Sequence, residues 1–200
     1  MRGISYRKGM LASLLIVMAV LYFCLPKAAS ADDGWKVTLY EAQLTPDSLG
    51  DTLALKGHYV DSHVVVLAAS KRVYSFKKLV DLEMEGQVAK HFGIQDHLEV
   101  NVVPLVVRWL PFPWDSIIDT SIAAGAGLSY AFETPVVELF GVSHTPKFLG
   151  YLMCEISLSL PSLPRWAVVA RLHHRSGAGG LFAGRRDASN GLGFGAQFNF

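Results

Sequence analysis

The chain has 200 residues, 51% of them apolar, and a formal net charge of +1 at pH 7. Its mean hydropathy of +0.31 is high for a secreted soluble domain, and its charge provides no basic excess that would attract nucleic acid. Beyond the first 31 residues, no apolar run is long enough for a membrane helix. The composition therefore favours a closed β-barrel, the other structure that satisfies its backbone polar groups in lipid.

The N-terminal segment has the three regions of a cleaved export signal. Three basic residues precede an apolar stretch from Met10 to Leu25, and a small-residue cleavage site follows at Ala29–Ala31. A retained membrane anchor is the alternative, but the apolar stretch is short for a span. We predict that residues 1–31 are a signal peptide and that residues 32–200 form a single domain. The predicted signal carries four of the 18 basic residues and none of the 17 acidic ones, so the remainder has a net charge of −3.

Cysteine and histidine usage argues against cross-links and metal sites. Only Cys154 remains after the predicted cleavage, so the mature chain cannot form an intrachain disulfide. No cysteine and histidine cluster has the spacing typical of a zinc site. We therefore expect no metal and no cofactor.

The rest of the chain divides into segments that alternate apolar and polar residues. In the clearest of them, Val80–Val88, apolar side chains alternate with Asp81, Glu83 and Glu85. This period of two predicts a strand with one apolar and one polar face. Seven strands are predicted near residues 63–72, 76–91, 97–109, 118–133, 149–160, 165–176 and 190–200. An eighth comes from 35–43, from 51–59, or from both as one irregular piece.

The closing segment favours a membrane barrel over a soluble sandwich or a lipocalin-like barrel. Alternate residues of Asn190–Phe200 form an apolar stripe that ends on a C-terminal Phe, a common feature of outer-membrane barrels. We predict an all-β fold, an eight-stranded antiparallel transmembrane β-barrel of the outer membrane. With the C-terminus in the periplasm, loops 134–148 and 177–189 are extracellular, and connections 73–75 and 161–164 are periplasmic. The polar faces, which contain charges of both signs, then fill the lumen.

A histidine and a serine near the end of the penultimate strand are candidates for catalysis. His174 and Ser176 are two residues apart, so they point to the same side of the strand. Strand alternation places both on the lipid-facing wall near the extracellular end. Histidine is a suitable base for a serine nucleophile, and the backbone N–H groups of Gly177, Ala178 and Gly179 are candidates for an oxyanion hole. The alternative is that these polar residues only mark where the strand leaves the membrane.

The segments Arg171–Gly180 and Asn190–Phe200 resemble the outer-membrane lipid A 3-O-deacylase family, whose members are acyloxyacyl-hydrolase-like barrels. The resemblance implies an eight-stranded barrel in which Ser176 is the nucleophile and His174 the base. The family places a glutamate at the start of the last strand to orient the histidine. This chain has Asn190 there, and Asp187 is a second candidate for that role. The family also has an asparagine after the serine, where this chain has glycine.

The resemblance implies hydrolysis of an ester-linked acyl chain of lipid A, with lipopolysaccharide of the outer leaflet as partner and no cofactor. The cellular location would be the outer membrane of a Gram-negative bacterium. One alternative is a non-enzymatic structural or adhesive barrel of the same fold. Another is a small pore, which is disfavoured because side chains fill the interior of an eight-stranded barrel. Whether the protein forms a homodimer stays open.

Among the remaining polar residues, His173 is predicted to pair with an acidic residue in the lumen, Glu138 to belong to a short helix, and His144 to be solvated.

Overall fold

The computed structural model describes residues 34–140, 143–182 and 188–200. The predicted signal peptide lies outside these residues. The described part contains one short helix, α1 (Leu49–Leu53), and 3-10 turns at Val137–Leu139 and Ala178–Gly180. The strands are β1 (Trp35–Thr45), β2 (Ser62–Phe76), β3 (Val80–Gly93), β4 (Leu98–Trp109), β5 (Asp119–Ala131), β6 (Phe148–Ser159), β7 (Trp166–Ser176) and β8 (Ala188–Asn199).

The eight strands form a closed antiparallel barrel, as predicted. Each strand pairs with the next in the chain, and β8 closes the sheet by pairing with β1. The first strand therefore comes from the segment 35–43, which was one of the alternatives. A strand at 51–59 is wrong, because that segment contains the end of α1, which Ser48 caps by accepting a hydrogen bond from Asp51 N–H at 3.1 Å.

The two faces of the wall differ as the alternation predicts. On β3, Glu83 and Glu85 are buried in the lumen, whereas Met84 and Val88 are about half exposed on the outside. The same outward exposure of large apolar side chains recurs around the barrel at Leu67, Val102, Val107, Ile122, Leu128, Ile156, Val168 and Phe194. A belt of this size is typical of a surface that faces lipid. No helix of the described residues is long and apolar enough to cross a membrane.

Ion pairs hold the centre of the lumen together. Arg108 donates to Glu83 and to Glu155, in each case at 2.9 Å. Arg171 donates to Glu85 at 2.6 Å and lies 3.2 Å from the second oxygen of Glu155. Each arginine thus bridges two carboxylates, which offsets the cost of removing these charges from water.

The turn between β2 and β3 lies later than predicted. It comprises Lys77–Leu79 rather than 73–75, and Leu79 N–H donates to Phe76 O at 2.8 Å. Lys77 and Lys78 have φ angles of +49° and +56°, the values of a type I′ hairpin turn. Lysine is rarely found in such turns, so the sequence gives little sign of it. A β-bulge at Val73 also interrupts the alternation of β2, which made 73–75 resemble the end of a strand.

A second bulge explains why segment 97–109 alternates poorly. The pairing of β4 with both neighbours shifts around Pro104, so that β4 contains one extra residue. Proline has no N–H group to donate to the ladder, and a bulge is one of the places where a sheet tolerates it. The bulge brings Val102 O so close to Gly127 that a Cβ atom there would lie 2.0 Å away. Gly127 is therefore required by this approach of two strands.

Candidate active site

His174 and Ser176 lie close together on the outer wall, near the end of the barrel that carries the long loops 46–61 and 132–147. Their strand alternates inward and outward side chains, and both are partly buried on the outward side. His174 Nε2 is 3.0 Å from Ser176 Oγ, within hydrogen-bond distance. This contact allows the imidazole to accept the serine proton.

Asn190 fixes the orientation and the tautomer of His174. It lies directly opposite His174 in the pairing of β7 with β8, and its Oδ1 is 2.6 Å from His174 Nδ1. The Asn190 amide donates from Nδ2 to the carbonyl oxygen of Asp47 at 2.7 Å, so its oxygen must face the ring. His174 therefore carries its proton on Nδ1 and directs the lone pair of Nε2 toward Ser176. This is the tautomer that a general base requires.

Asp47 belongs to the loop that follows β1, and sequence reasoning did not identify it. Its contact with Asn190 uses a backbone carbonyl from a residue 143 positions earlier in the chain. The loop is held locally, because the carboxylate of Asp47 accepts hydrogen bonds from the backbone N–H of His58 at 2.5 Å and from its ring at 3.0 Å. These hydrogen bonds, first from the backbone and then from the ring, lower the pKa of Asp47.

The segment after Ser176 turns sharply and directs a backbone donor back to the serine. Ala178 N–H points at Ser176 Oγ over 3.4 Å, and Ala178 and Gly179 have φ angles of +48° and +69°. Gly180 N–H donates to Gly177 O at 3.1 Å and is therefore used within the turn. Of the three residues proposed for an oxyanion hole, Ala178 is the one whose N–H is seen directed at Ser176.

Apolar side chains and one glycine surround the pair. Leu152 lies opposite His174 on β6, and Gly150 lies opposite Ser176. A Cβ atom at Gly150 would approach Ser176 O at 3.2 Å and Phe182 at 3.3 Å, so the glycine allows this segment to pack closely. Phe182 also packs edge to face on Phe148, with ring centroids 5.7 Å apart. The wall next to Ser176 is therefore compatible with an acyl chain.

The other predicted residues take different positions. Asp187 lies outside the described residues. His173 points into the lumen and binds Glu99 at 2.9 Å, as expected for a structural partner. Glu138 lies in the 3-10 turn Val137–Leu139 and accepts a hydrogen bond from Arg175 at 2.7 Å. His144 is exposed.

Comparisons with known proteins give the fold. No family model matches the chain, and no curated protein matches it. The crystal structure of the outer membrane enzyme PagL has 13% sequence identity and a TM-score of 0.56, and the match covers 82% of this chain and 99% of that chain. The crystal structure of Neisserial surface protein A (NspA) has 14% identity and a TM-score of 0.52, with coverages of 84% and 97%. At these identities the similarity shows the fold of outer-membrane barrels and leaves the activity to be argued from the site.

Proposed function

We propose that the protein is an outer-membrane esterase that removes an ester-linked acyl chain from lipid A. The observation that carries this proposal is the chain of contacts from Asp47 O through Asn190 and His174 to Ser176 Oγ. Each member holds the next in the orientation that a serine nucleophile needs. The position of the pair on the outer wall suits a substrate that stays in the outer leaflet of the membrane.

The proposed reaction follows from the hydrogen-bond directions. His174 Nε2 takes the proton from Ser176 Oγ as the oxygen attacks the ester carbonyl. Ala178 N–H, directed at this region, helps to stabilise the negative charge on the carbonyl oxygen. His174 then gives its proton to the departing alkoxide oxygen of the sugar, which leaves as a hydroxyl. Water then attacks the acyl-Ser176 ester with His174 as base, and the acyl chain is released as a carboxylic acid.

Asn190 takes the position of the third residue of a catalytic triad, the one that orients the histidine, and its side chain is neutral. Its amide oxygen holds the His174 ring and fixes the tautomer, but it provides less electrostatic stabilisation of the imidazolium than a carboxylate. The activity should therefore be lower than that of a site with a glutamate at this place. The tight anchoring of Asn190 to Asp47 O partly offsets this, because orientation is a large part of what the third residue contributes.

The alternative is a non-enzymatic surface barrel of the same fold. The amide at position 190 favours it, since a structural hydrogen bond from His174 Nδ1–H to Asn190 Oδ1 needs no charge. The two alternatives give Ser176 different roles. In a non-enzymatic barrel, Ser176 serves only as a partner of His174 at the end of the strand, and its replacement changes no lipid.

The deciding experiment is mass spectrometry of lipid A from cells that express the wild type, Ser176→Ala or an empty vector. The esterase predicts loss of one acyl chain in wild-type cells and intact lipid A in the other two. Ser159→Ala is the matched control, because Ser159 lies at the opposite end of β6 and should leave deacylation unchanged. Intact lipid A in wild-type cells that contain folded barrel would contradict the esterase and leave the non-enzymatic barrel.

Labelling with a fluorophosphonate tests the nucleophile without assuming the substrate. The reagent bonds to a serine Oγ that a base has activated, so Ser176 should be modified and Ser159 should not. Peptide mass spectrometry locates the adduct. His174→Gln should abolish the labelling while the serine remains in place, and equal labelling of wild type and His174→Gln would contradict the proposed base.

A further inference from the structure

The β3–β4 hairpin brings two histidines and a carboxylate together inside the barrel, away from the proposed esterase site. His91 is near the end of β3, Glu99 is near the start of β4, and His97 lies in the connection between them. The hairpin is closed by a hydrogen bond from His91 N–H to His97 O at 2.9 Å. All three side chains are buried in the lumen.

The three side chains place one potential ligand atom each close to the others. One ligand atom from each of His91, His97 and Glu99 lies within 4.8 Å of the others. The two imidazole rings are stacked, with centroids 4.2 Å apart and an interplanar angle of 13°, and His91 Nε2 is 3.0 Å from Glu99 Oε2. Neighbouring ligand atoms of a tetrahedral zinc ion, at bond lengths of about 2.0–2.2 Å, are separated by about 3.3–3.5 Å. Because the two rings lie nearly parallel, at least one of them must turn before both nitrogens can face one ion.

The strongest sign of a missing partner is on His97. His97 is only 4% exposed, and its Nε2 has no hydrogen-bond partner among the residues that the structure describes. Burying a polar atom without a hydrogen-bond partner is unfavourable. Glu99 itself is well paired, since it accepts hydrogen bonds from His91, His173 and Asn101. Asn101 Oδ1 and Arg175 Nε, which lie beside it, also have no hydrogen-bond partner among the described residues. The unpartnered nitrogen therefore points to a ligand that this network accommodates.

We propose that His91, His97 and Glu99 bind a divalent transition metal, for which Zn²⁺ is the best candidate. Two imidazole nitrogens and one carboxylate oxygen are a donor set that zinc prefers, with water in the fourth position. The ion would cross-link β3, β4 and the connection between them. The sequence gives no sign of this site, because the ligand spacing His-x5-His-x-Glu spans a hairpin and does not match the common zinc motifs, and the expectation of no metal rested on those motifs.

Metal binding requires one proton to change place. Gln95 Oε1 accepts a hydrogen bond from Val137 N–H at 3.2 Å, so Gln95 Nε2 donates to His91 Nδ1 at 2.9 Å. His91 thus carries its proton on Nε2 in the metal-free protein. To bind a metal there, it must move the proton to Nδ1, and the amide of Gln95 must rotate to accept it. This rotation gives up the hydrogen bond that Gln95 Oε1 accepts from Val137 N–H. The net charge of His91 does not change.

The Arg175 guanidinium would repel a metal ion at this site, but a carboxylate balances part of its charge. Arg175 Nε is 3.5 Å from Glu99 Oε2, the oxygen nearest His91. Arg175 also donates to Glu138 at 2.7 Å, so a second carboxylate balances part of its charge. The remaining contact of Glu99 with His173 uses the other carboxylate oxygen and can persist when the metal binds.

Calorimetric titration with Zn²⁺ tests this proposal. The barrel is purified from outer membranes without a histidine tag, treated with a chelator and titrated in detergent. We expect one equivalent of Zn²⁺ to bind the wild type and His97→Asn to bind at least about tenfold more weakly, since even residues that only support metal ligands contribute this much. Binding of Co²⁺ should produce the visible absorption of a tetrahedral nitrogen and oxygen site in the wild type alone.

Two comparisons keep the result interpretable. His144→Asn removes an exposed histidine and should bind zinc like the wild type. His97→Asn leaves the backbone carbonyl that closes the hairpin, and heat-modifiable gel mobility shows whether it folds. If folded His97→Asn binds zinc as tightly as the wild type, or if the wild type binds none, the proposal is wrong. Equal losses in His144→Asn and His97→Asn would indicate non-specific binding and would also contradict it.

Discussion

Two consecutive histidines on β7 have opposite surroundings. His173 points into the lumen, where its Nδ1 is 3.0 Å from the Tyr40 hydroxyl and 3.2 Å from the Tyr151 hydroxyl, and its Nε2 is 2.9 Å from Glu99. His174 points outward and contacts Asn190 and Ser176. A single step along the strand therefore separates a histidine that is bonded within the lumen from one that is bonded to a serine on the outer wall.

The difference between the two rings lies in their partners. His173 is completely surrounded by groups that are themselves paired, so a proton on it has no substrate to reach. His174 has one nitrogen fixed by an amide and the other facing a hydroxyl that is partly accessible. Burial and an ion-pair partner thus mark a structural histidine, whereas a fixed tautomer beside a serine hydroxyl is what the proposed catalytic role of His174 requires.

The largest expected effect is on activity and comes from His174. His174→Gln should reduce deacylation by at least about 10³-fold, because the serine loses its base. The denaturant midpoint of the barrel should change little, since His174 is only partly buried. Lipid A mass spectrometry and urea unfolding of the same preparations measure both quantities. A variant that retains wild-type activity would place His174 with His173 among the structural residues.

Replacing His173 should have the opposite effect. His173→Leu removes a donor from buried Glu99 and an acceptor from two tyrosines, which should destabilise the barrel by about 2–4 kcal/mol. The folded fraction should keep its activity per molecule. Urea unfolding in detergent measures the free energy of unfolding, and deacylation normalised to the amount of folded protein measures the activity per molecule. A barrel as stable as the wild type would show that the lumen network tolerates the loss of this donor.

Replacing Asn190 should change activity by less than replacing His174. Asn190→Leu should lower activity by about 10–10²-fold, because His174 loses the acceptor that fixes its tautomer. Asn190→Asp supplies a carboxylate but places it against the carbonyl of Asp47, so the gain in charge is opposed by the loss of the anchor. Initial rates of ester hydrolysis for the three proteins measure the balance. Equal rates for Asn190→Leu and the wild type would remove Asn190 from the site.

Much of the fold could be predicted because strand alternation is a local signal. The acidic residues of β3 fall on every second position, and the structure buries them while exposing Met84 and Val88. The same parity separated His173 from His174. Where a bulge adds a residue, the parity is lost. At Val73 this led to a wrong turn at 73–75, whereas around Pro104 the alternation is poor but the predicted strand 97–109 agrees with β4.

The parts of the site that sequence reasoning missed depend on closure of the barrel. Pairing of β1 with β8 brings the loop of Asp47 to Asn190, and the group that binds is a backbone carbonyl with no sequence signature. The cluster of His91, His97 and Glu99 was missed for a related reason. Its members meet across a hairpin whose strand register had to be known first.

A turn at the opposite end of the barrel offers the smallest and most separable change. Lys77 and Lys78 adopt positive φ angles, which disfavour side chains with a Cβ atom, whereas Asn-Gly is preferred in type I′ turns. Replacing Lys77-Lys78 with Asn-Gly should stabilise the barrel by about 1 kcal/mol. Urea unfolding measures the gain, and lipid A mass spectrometry should show the wild-type extent of deacylation. A changed activity would mean that the stability of the barrel and the geometry around His174 are coupled along the whole length of the barrel. The effects of His173 on stability and of His174 on activity could then not be separated.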